Sequence, residues 1–356
     1  MSLFRDNIER MKGYIPGEQP QEEGYIKLNT NENPFPPSPR VLAAVKEAAN
    51  PSLRLYPDPM ATRLRKKVAE VLGTRPERVL VGNGSDELLG IISRAFTGTG
   101  DKVVFPYPTY LLYKTLVEIQ GAEAVEVSFR EDFSLPKDIV VKGAKITFLC
   151  NPNSPSGTMV WPDEVARLAR QIDGVLVVDE AYVDFADANC LSLVEDNPNV
   201  LILRTLSKSY SLAGLRLGFC IAQEELIQGL MKVKDSYNVD RLSMAAAIAA
   251  LDDQKHLKEN VDKVRDIRSY LSESLRELGF FVYPSQADFV FARCKDASTA
   301  RDIYELLKRE KILIRHINYR GLEDCVRISV GTREEIDTLL ETLSEVLCET
   351  EKGARK

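Results

Sequence analysis

The sequence predicts an α/β fold: a large domain on a mostly parallel, helix-covered sheet of seven strands, joined to a smaller α+β domain. Three observations carry this expectation. From about residue 79 to 222, short apolar runs alternate with helical segments, the pattern of a parallel sheet buried on both faces. Polar punctuation follows these runs, in GNGSDE, YPTY, NPNSPSG, DEAY and TLSKSY, where an open α/β sheet binds its ligands. Past a long helical stretch at about 245–278, the rhythm changes to short strands and two helices.

In order, the large domain holds strand-like VLVGN (79–83) and then a helix with Leu88, Leu89, Ile91, Ile92, Ala95 and Phe96 on one side. KVVFPY (102–107), AEAVEVSF (122–129), KITFLCN (145–151), VLVVDEAY (175–182), NVLILRT (199–205) and RLGFCIA (216–222) complete seven strands. The C-terminal part reads FVYPSQADFVFARC, a helix over ASTARDIYELLKREK, then ILIRH, CVRISVG and a last helix over TREEIDTLLETLSEVLCE. The N-terminal turn chemistry of NTNENPFPPSP belongs with the small domain or its boundary. The expected division is 46–275 for the large domain, and 1–45 with 276–356 for the small one. A chain of 356 residues is long enough for both cores.

Composition narrows the function. Hydrophobic residues make up 44% and charged residues 28%, and the net charge is −6 with no Lys/Arg block, so no nucleic-acid partner is expected. The start, MSLFRDNIERMKGY, lacks an apolar signal core, and no run reaches the roughly 18 apolar residues of a membrane span. Six scattered cysteines form no C-x-x-C pair, which suits buried, reduced thiols in a cytoplasmic protein with no metal site. Only two histidines occur; His256, in DDQKHLKEN, is expected to be solvated. The usual general base is nearly absent.

The chemistry concentrates in TLSKSYSLAGLRLGF (205–219). Lys208 follows an apolar strand and is therefore partly desolvated, which lowers its pKa and makes it a nucleophile and base. Thr205, Ser207 and Arg216 suit a dianion. Asp179 ends the apolar run Val175–Val178, where a carboxylate needs a cation: a structural ion pair, or a ligand's protonated ring nitrogen. GNGSDE offers a helix start for an anion or a plain N-cap by Ser85 or Asp86. Tyr107 and Tyr110 of YPTY are stacking platforms or core. An anion, a cationic ring atom and an amine-reactive carbon in one ligand describe pyridoxal 5'-phosphate, with Lys208 forming the Schiff base, Asp179 at the ring nitrogen and Tyr182 at the ring hydroxyl.

DEAY, then SKSYSLAGLR with Lys208 29 residues after Asp179, resembles the fold-type-I pyridoxal-phosphate aminotransferases. The resemblance runs from LNTNENPF (28–35) to CVRISVGTREE (325–335). It is strongest toward the histidinol-phosphate aminotransferase branch, through RLYPD, NPNSPSG, VVDEAYVDF and ILIR. It implies that Lys208 is the Schiff-base lysine and proton shuttle and that Tyr182 and Asn153 bind the ring hydroxyl. It also implies that Tyr110 stacks on the ring and that the backbone of Ser85 and Asp86, with Thr205, Ser207 and Arg216, holds the phosphate. Tyr56 would reach that phosphate from the partner subunit of a homodimer. Arg327, Arg315 and Tyr14 would contact the substrate, histidinol phosphate or 2-oxoglutarate/glutamate, with Glu32 and Asn33 as further candidates in the N-terminal turn. The family often has a second asparagine and a threonine where Ser154 and Ser156 stand here. An aromatic or broad-range aminotransferase, and a decarboxylase of phosphorylated amino acids, are the alternatives on the same scaffold. A non-catalytic vitamin-binding module could dispense with Lys208.

Overall fold

The computed structural model describes residues 2–20 and 22–353, with no account of the side chains from 348 on. The strands are β1 (Ile26–Lys27), β2 (Val79–Gly82), β3 (Lys102–Tyr107), β4 (Glu123–Ser128), β5 (Ala144–Cys150), β6 (Val175–Asp179), β7 (Val200–Thr205) and β8 (Gly218–Ile221). They are followed by β9 (Phe281–Val282), β10 (Phe289–Arg293), β11 (Ile312–Leu313), β12 (Arg315–Ile317) and β13 (Cys325–Ser329). The seven expected strands form one sheet in the order β2-β8-β7-β6-β5-β3-β4. Only β8 runs antiparallel to its neighbours, so the sheet is mostly parallel, as expected.

Strand periodicity splits the apolar residues between two layers. Leu176, Val178 and Ile202 pack with Leu64, Val68, Val165 and Ala246 on one face. Val175, Val177 and Leu201 pack with Leu88, Ile92, Tyr113 and Ile227 on the other. Burying both faces of β6 leaves its carboxyl end, Asp179, as the first polar side chain of an otherwise apolar strand.

The second sheet, β12-β13-β10-β9, is antiparallel. A short parallel pair, β1 with β11, ties the N-terminal segment to the C-terminal part. From there the Leu28 carbonyl accepts the Ser329 N–H at 2.9 Å, which leads residues 29–32 off the small sheet into the space at the carboxyl ends of β5, β6 and β7.

Three expectations need correction. The helical stretch at 245–278 is two helices, Arg241–Leu251 and Gln254–Glu277. The Asp253 carboxylate between them accepts the N–H of His256 and caps the second. ILIRH is two short strands rather than one, β11 facing β1 and β12 facing β13. His256 is half-buried rather than solvated, with Nε2 at 3.1 Å from the Pro36 carbonyl oxygen. Cys150, Cys190, Cys220, Cys294 and Cys325 are buried free thiols, while the side chain of Cys348 lies outside the described residues. No helix among the described residues is long and apolar enough to cross a membrane.

Candidate active site

A cavity of about 500 Å³ opens where the carboxyl ends of β5, β6 and β7 meet the N-terminal segment and the small sheet. Lys208, Asp179, Tyr182, Ser85, Asp86, Tyr110, Thr205, Ser207, Arg216, Tyr14, Arg315 and Arg327 all line it. Residues spread over three hundred positions of chain thus converge on one space.

Asp179 is 3% exposed. Its Oδ2 accepts a hydrogen bond from the Tyr113 hydroxyl at 2.9 Å, and its Oδ1 is buried without a well-formed hydrogen bond among the described residues. Burial pushes the Asp179 pKa up to about 6, against the pull of the Tyr113 hydroxyl on the charged form. Tyr113 is fully buried, stacked on Phe148 with ring centroids 4.7 Å apart and edge-on to Tyr110 at 5.6 Å. Its phenol is therefore held against the carboxylate by packing on two sides. Tyr113 was missed in the sequence, although YPTYLLY places it three residues after Tyr110, one helical turn along the same face.

The Lys208 amine donates to the carbonyls of Asn31 and Thr30, at 2.9 and 3.2 Å, and lies 5.6 Å from the centre of the Tyr182 ring. Packing around it pushes its pKa down, while the carboxylate of Asp288 pulls the other way. Asp288 is itself buried, and neither of its oxygens has a hydrogen-bond partner among the described residues. Burial raises it to about 6, opposed by the charges of Lys208 and Arg327. Nothing in the sequence marks it, because ADFVF looks like an ordinary strand start.

The helix Gly84–Phe96 begins beside Arg216. Gly84 has φ +81°, and a Cβ there would sit 2.7 Å from the Arg216 guanidinium, so only glycine allows the approach. Arg216 donates to Asp86 Oδ2 at 2.9 Å and reaches Ser207 Oγ at 3.4 Å. Thr205 Oγ1 lies 2.9 Å from Ser207 Oγ. Tyr110 donates to Asp86 Oδ1 at 3.1 Å. Hydroxyls, a guanidinium and the unpaired N–H groups of a helix start thus face one spot, an arrangement that binds phosphate.

On the opposite wall, Arg315 and Arg327 stand directly across from each other on β12 and β13. Arg327 donates to Ser154 Oγ at 3.1 Å and to the Asn29 carbonyl at 3.0 Å, and neither arginine makes an ion pair among the described residues. Two like charges facing across a ladder are destabilising, an arrangement that a bound anion would relieve.

One residue expected in this cavity, Asn153, sits elsewhere, and Tyr56, expected to serve the partner subunit's site, stands outside it. Asn153 does not line the cavity: its amide donates to Pro108 O and Ser156 Oγ and accepts from Thr109 Oγ1. Ser154, one position on, faces the cavity instead. Tyr56 is 78% exposed, stacked on Tyr237 at 4.5 Å and outside the cavity lining. Of the candidates in the N-terminal turn, Glu32 lines the cavity and pairs with Lys27, while Asn33 donates to the backbone carbonyls of Lys208 and Ser209. Tyr107 of YPTY carries the Arg320 guanidinium over its ring at 5.1 Å and does not line the cavity.

Residues 23–343 match the model of aminotransferase class I and II. Histidinol-phosphate aminotransferase 1 of Nostoc sp. is 49% identical over 97% of this chain and 98% of its own length. The histidinol-phosphate aminotransferase of Rhodopirellula baltica is 47% identical over 95% and 94%. The crystal structure of histidinol-phosphate aminotransferase from Sinorhizobium meliloti in complex with pyridoxal-5'-phosphate superposes with a TM-score of 0.92 at 32% identity, covering 98% of this chain and 99% of that one. The chain belongs to the class I and II aminotransferase family.

Proposed function

We propose that this chain is a pyridoxal-phosphate-dependent aminotransferase that interconverts L-histidinol phosphate and 2-oxoglutarate with imidazole-acetol phosphate and L-glutamate. One observation carries the proposal: a lysine amine, a buried carboxylate with an open oxygen, a phosphate-type cradle and two facing arginines share one cavity. The names of relatives up to 49% identical over nearly the whole chain support it.

The residues fit the cofactor. Asp179 Oδ1 awaits a donor, which a protonated ring nitrogen provides. Thr205, Ser207, Arg216 and the first N–H groups of the helix Gly84–Phe96 would hold the phosphate, Tyr110 would lie against the ring, and Tyr182 would donate to the ring hydroxyl oxygen. Ser154 stands in the cavity where Asn153 was expected. When bound, pyridoxal phosphate supplies an aldehyde carbon for amines and a ring that accepts the electron pair of a broken Cα–H bond.

Lys208 supplies the amine. Its lowered pKa leaves more of it neutral and nucleophilic near neutral pH. With the cofactor bound, the free Lys208 amine would be the base that takes the substrate Cα proton, a role worth about 10²–10⁴-fold in rate for a positioned base. Arg315 and Arg327 hold the substrate phosphate on one half-reaction and a carboxylate of glutamate on the other, with Tyr14 at the rim, where its ring meets Tyr110 at 5.9 Å. Residues 46–275 form the large cofactor-binding domain and 1–45 with 276–356 the small one. The helix Gln254–Glu277 bridges them, with Val264, Leu271 and Leu275 in the core of the small sheet.

The active unit is a homodimer. Leu53, Leu55, Tyr56, Met60 and Tyr237 are large apolar side chains left about half exposed or more, a patch that suits a second copy, with Tyr56 reaching the neighbour's phosphate site.

Three outcomes are expected. With 2-oxoglutarate as acceptor, kcat/KM for histidinol phosphate exceeds that for phenylalanine by more than tenfold, and Lys208→Ala loses turnover by at least about 10²-fold. Preference for phenylalanine, or carbon dioxide release without 2-oxoglutarate, moves the chain to another reaction. Sedimentation equilibrium gives twice the chain mass, and Tyr56→Phe weakens cofactor binding; a monomer with full cofactor affinity contradicts the shared site. The affinity for pyridoxal phosphate falls as pH drops through about 6, where Asp179 takes up a proton and can no longer accept from a protonated ring. In Tyr113→Phe the charged carboxylate loses its hydrogen bond, its pKa rises further, and the fall begins about one pH unit higher; fluorescence titration showing unchanged midpoints would remove Tyr113 from the account.

A further inference from the structure

Asn31 touches both groups on which the proposed chemistry turns. Its side-chain Nδ2 donates to the Tyr182 hydroxyl at 3.0 Å, and its backbone carbonyl accepts from the Lys208 amine at 2.9 Å. It is 2% exposed and takes the left-handed conformation, φ +55°, which asparagine tolerates better than most residues. Ser329 grips it from the other side. The Asn31 N–H donates to Ser329 Oγ at 2.8 Å, and Ser329 Oγ donates to Asn31 Oδ1 at 3.1 Å.

These contacts fix the sense of the amide. If Nδ2 and Oδ1 were exchanged, the proton of the buried Ser329 hydroxyl would have no acceptor among the described residues, the costly case of a buried donor left unmet. In the observed sense the amide of Asn31 and the buried hydroxyl of Ser329 are both satisfied, and the Tyr182 hydroxyl, which borders the cavity, is an acceptor toward Asn31. Its single proton is given to no other protein group among the described residues, and the tyrosine lines the cavity.

We propose that Asn31 is a positioning residue: its amide holds the Tyr182 hydroxyl as an acceptor and so reserves the phenolic proton for the ring oxygen of pyridoxal phosphate, while its carbonyl holds the Lys208 amine whenever that amine is free. This rests on the proposed cofactor. A proton donated to the ring oxygen stabilises negative charge there and makes the nitrogen that joins Lys208 to the cofactor less basic. One residue of the N-terminal segment thereby couples that segment's seating to the basicity of the reacting nitrogen.

The charged and titratable groups facing Lys208 and Tyr182 are Asp288, Arg327, Glu32, Asp86, Cys150 and Tyr110, and the test alters none of them. It is a pH titration of the visible absorbance of the holoenzyme, read as the midpoint for protonation of the nitrogen bound to Lys208. Asn31→Asp turns the donor into an acceptor that captures the phenolic proton, and the midpoint rises by about one pH unit or more. The new charge alone would also raise it, so the same change is made in Tyr182→Phe, where there is no proton to capture. The expected shift there is clearly smaller. Ser329→Ala, which adds no charge, releases the amide to turn and moves the midpoint in the same upward direction. Equal Asn31→Asp shifts in the two backgrounds, or an unmoved midpoint in Ser329→Ala, overturn the role of Asn31 while a visible band abolished by Lys208→Ala leaves the cofactor assignment standing. A wild-type protein with no such band overturns both.

Discussion

The site depends on one buried carboxylate. Asp179 ends a strand whose both faces lie in apolar layers, where an unpaired negative charge is costly. The fold offsets part of that cost with the Tyr113 hydroxyl on Oδ2 and leaves Oδ1 without a well-formed hydrogen bond among the described residues. A polar atom buried without a partner in a well-packed core is rare and calls for an explanation. A cationic ring atom supplies one, because the cavity beside Asp179 also offers an amine and an anion cradle. The helices that bury β6 therefore do more than hold the sheet together: they raise the pKa of Asp179 to about 6, which sets the lower pH limit for the charged carboxylate that the proposed cofactor contact needs.

The same logic extends to the opposite wall. Pairing of β12 with β13 sets Arg315 across from Arg327, a repulsive register that the proposed anionic substrate would convert into a clamp. The N-terminal segment links the two walls. It is paired to β11, bonded to Ser329 at the end of β13, and then passes its carbonyls to Lys208. Seating of the small sheet and position of the amine are thus mechanically connected, and Asn31 lies at the junction.

Much of this was legible in the sequence. The apolar runs of the large sheet gave strand number, strand type and the carboxyl-end location of the site, since parallel strands buried on both faces leave a continuous hydrophobic signature. Lys208, Asp179 and Arg216 stood out because charge beside such strands needs a reason. Residues whose role depends on partners distant in sequence did not stand out. Tyr113 looks like core and is core, and its hydroxyl matters only because Asp179 arrives from 66 residues away. Asn31 lies in a turn rich in asparagine, and nothing local distinguishes it from Asn29 or Asn33. Asn153 was misplaced for the converse reason: its turn was recognisable, but the direction of one amide depends on Thr109 and Ser156. The break at Asp252–Asp253 was hidden because both flanking segments are strong helix formers.

The most direct test of the central claim is nitrogen-15 NMR of ring-labelled pyridoxal phosphate bound to the protein between pH 7 and 8. A carboxylate with an open, buried oxygen predicts a protonated ring nitrogen in the wild type and an unprotonated one in Asp179→Ala. An unprotonated nitrogen in the wild type would contradict the account.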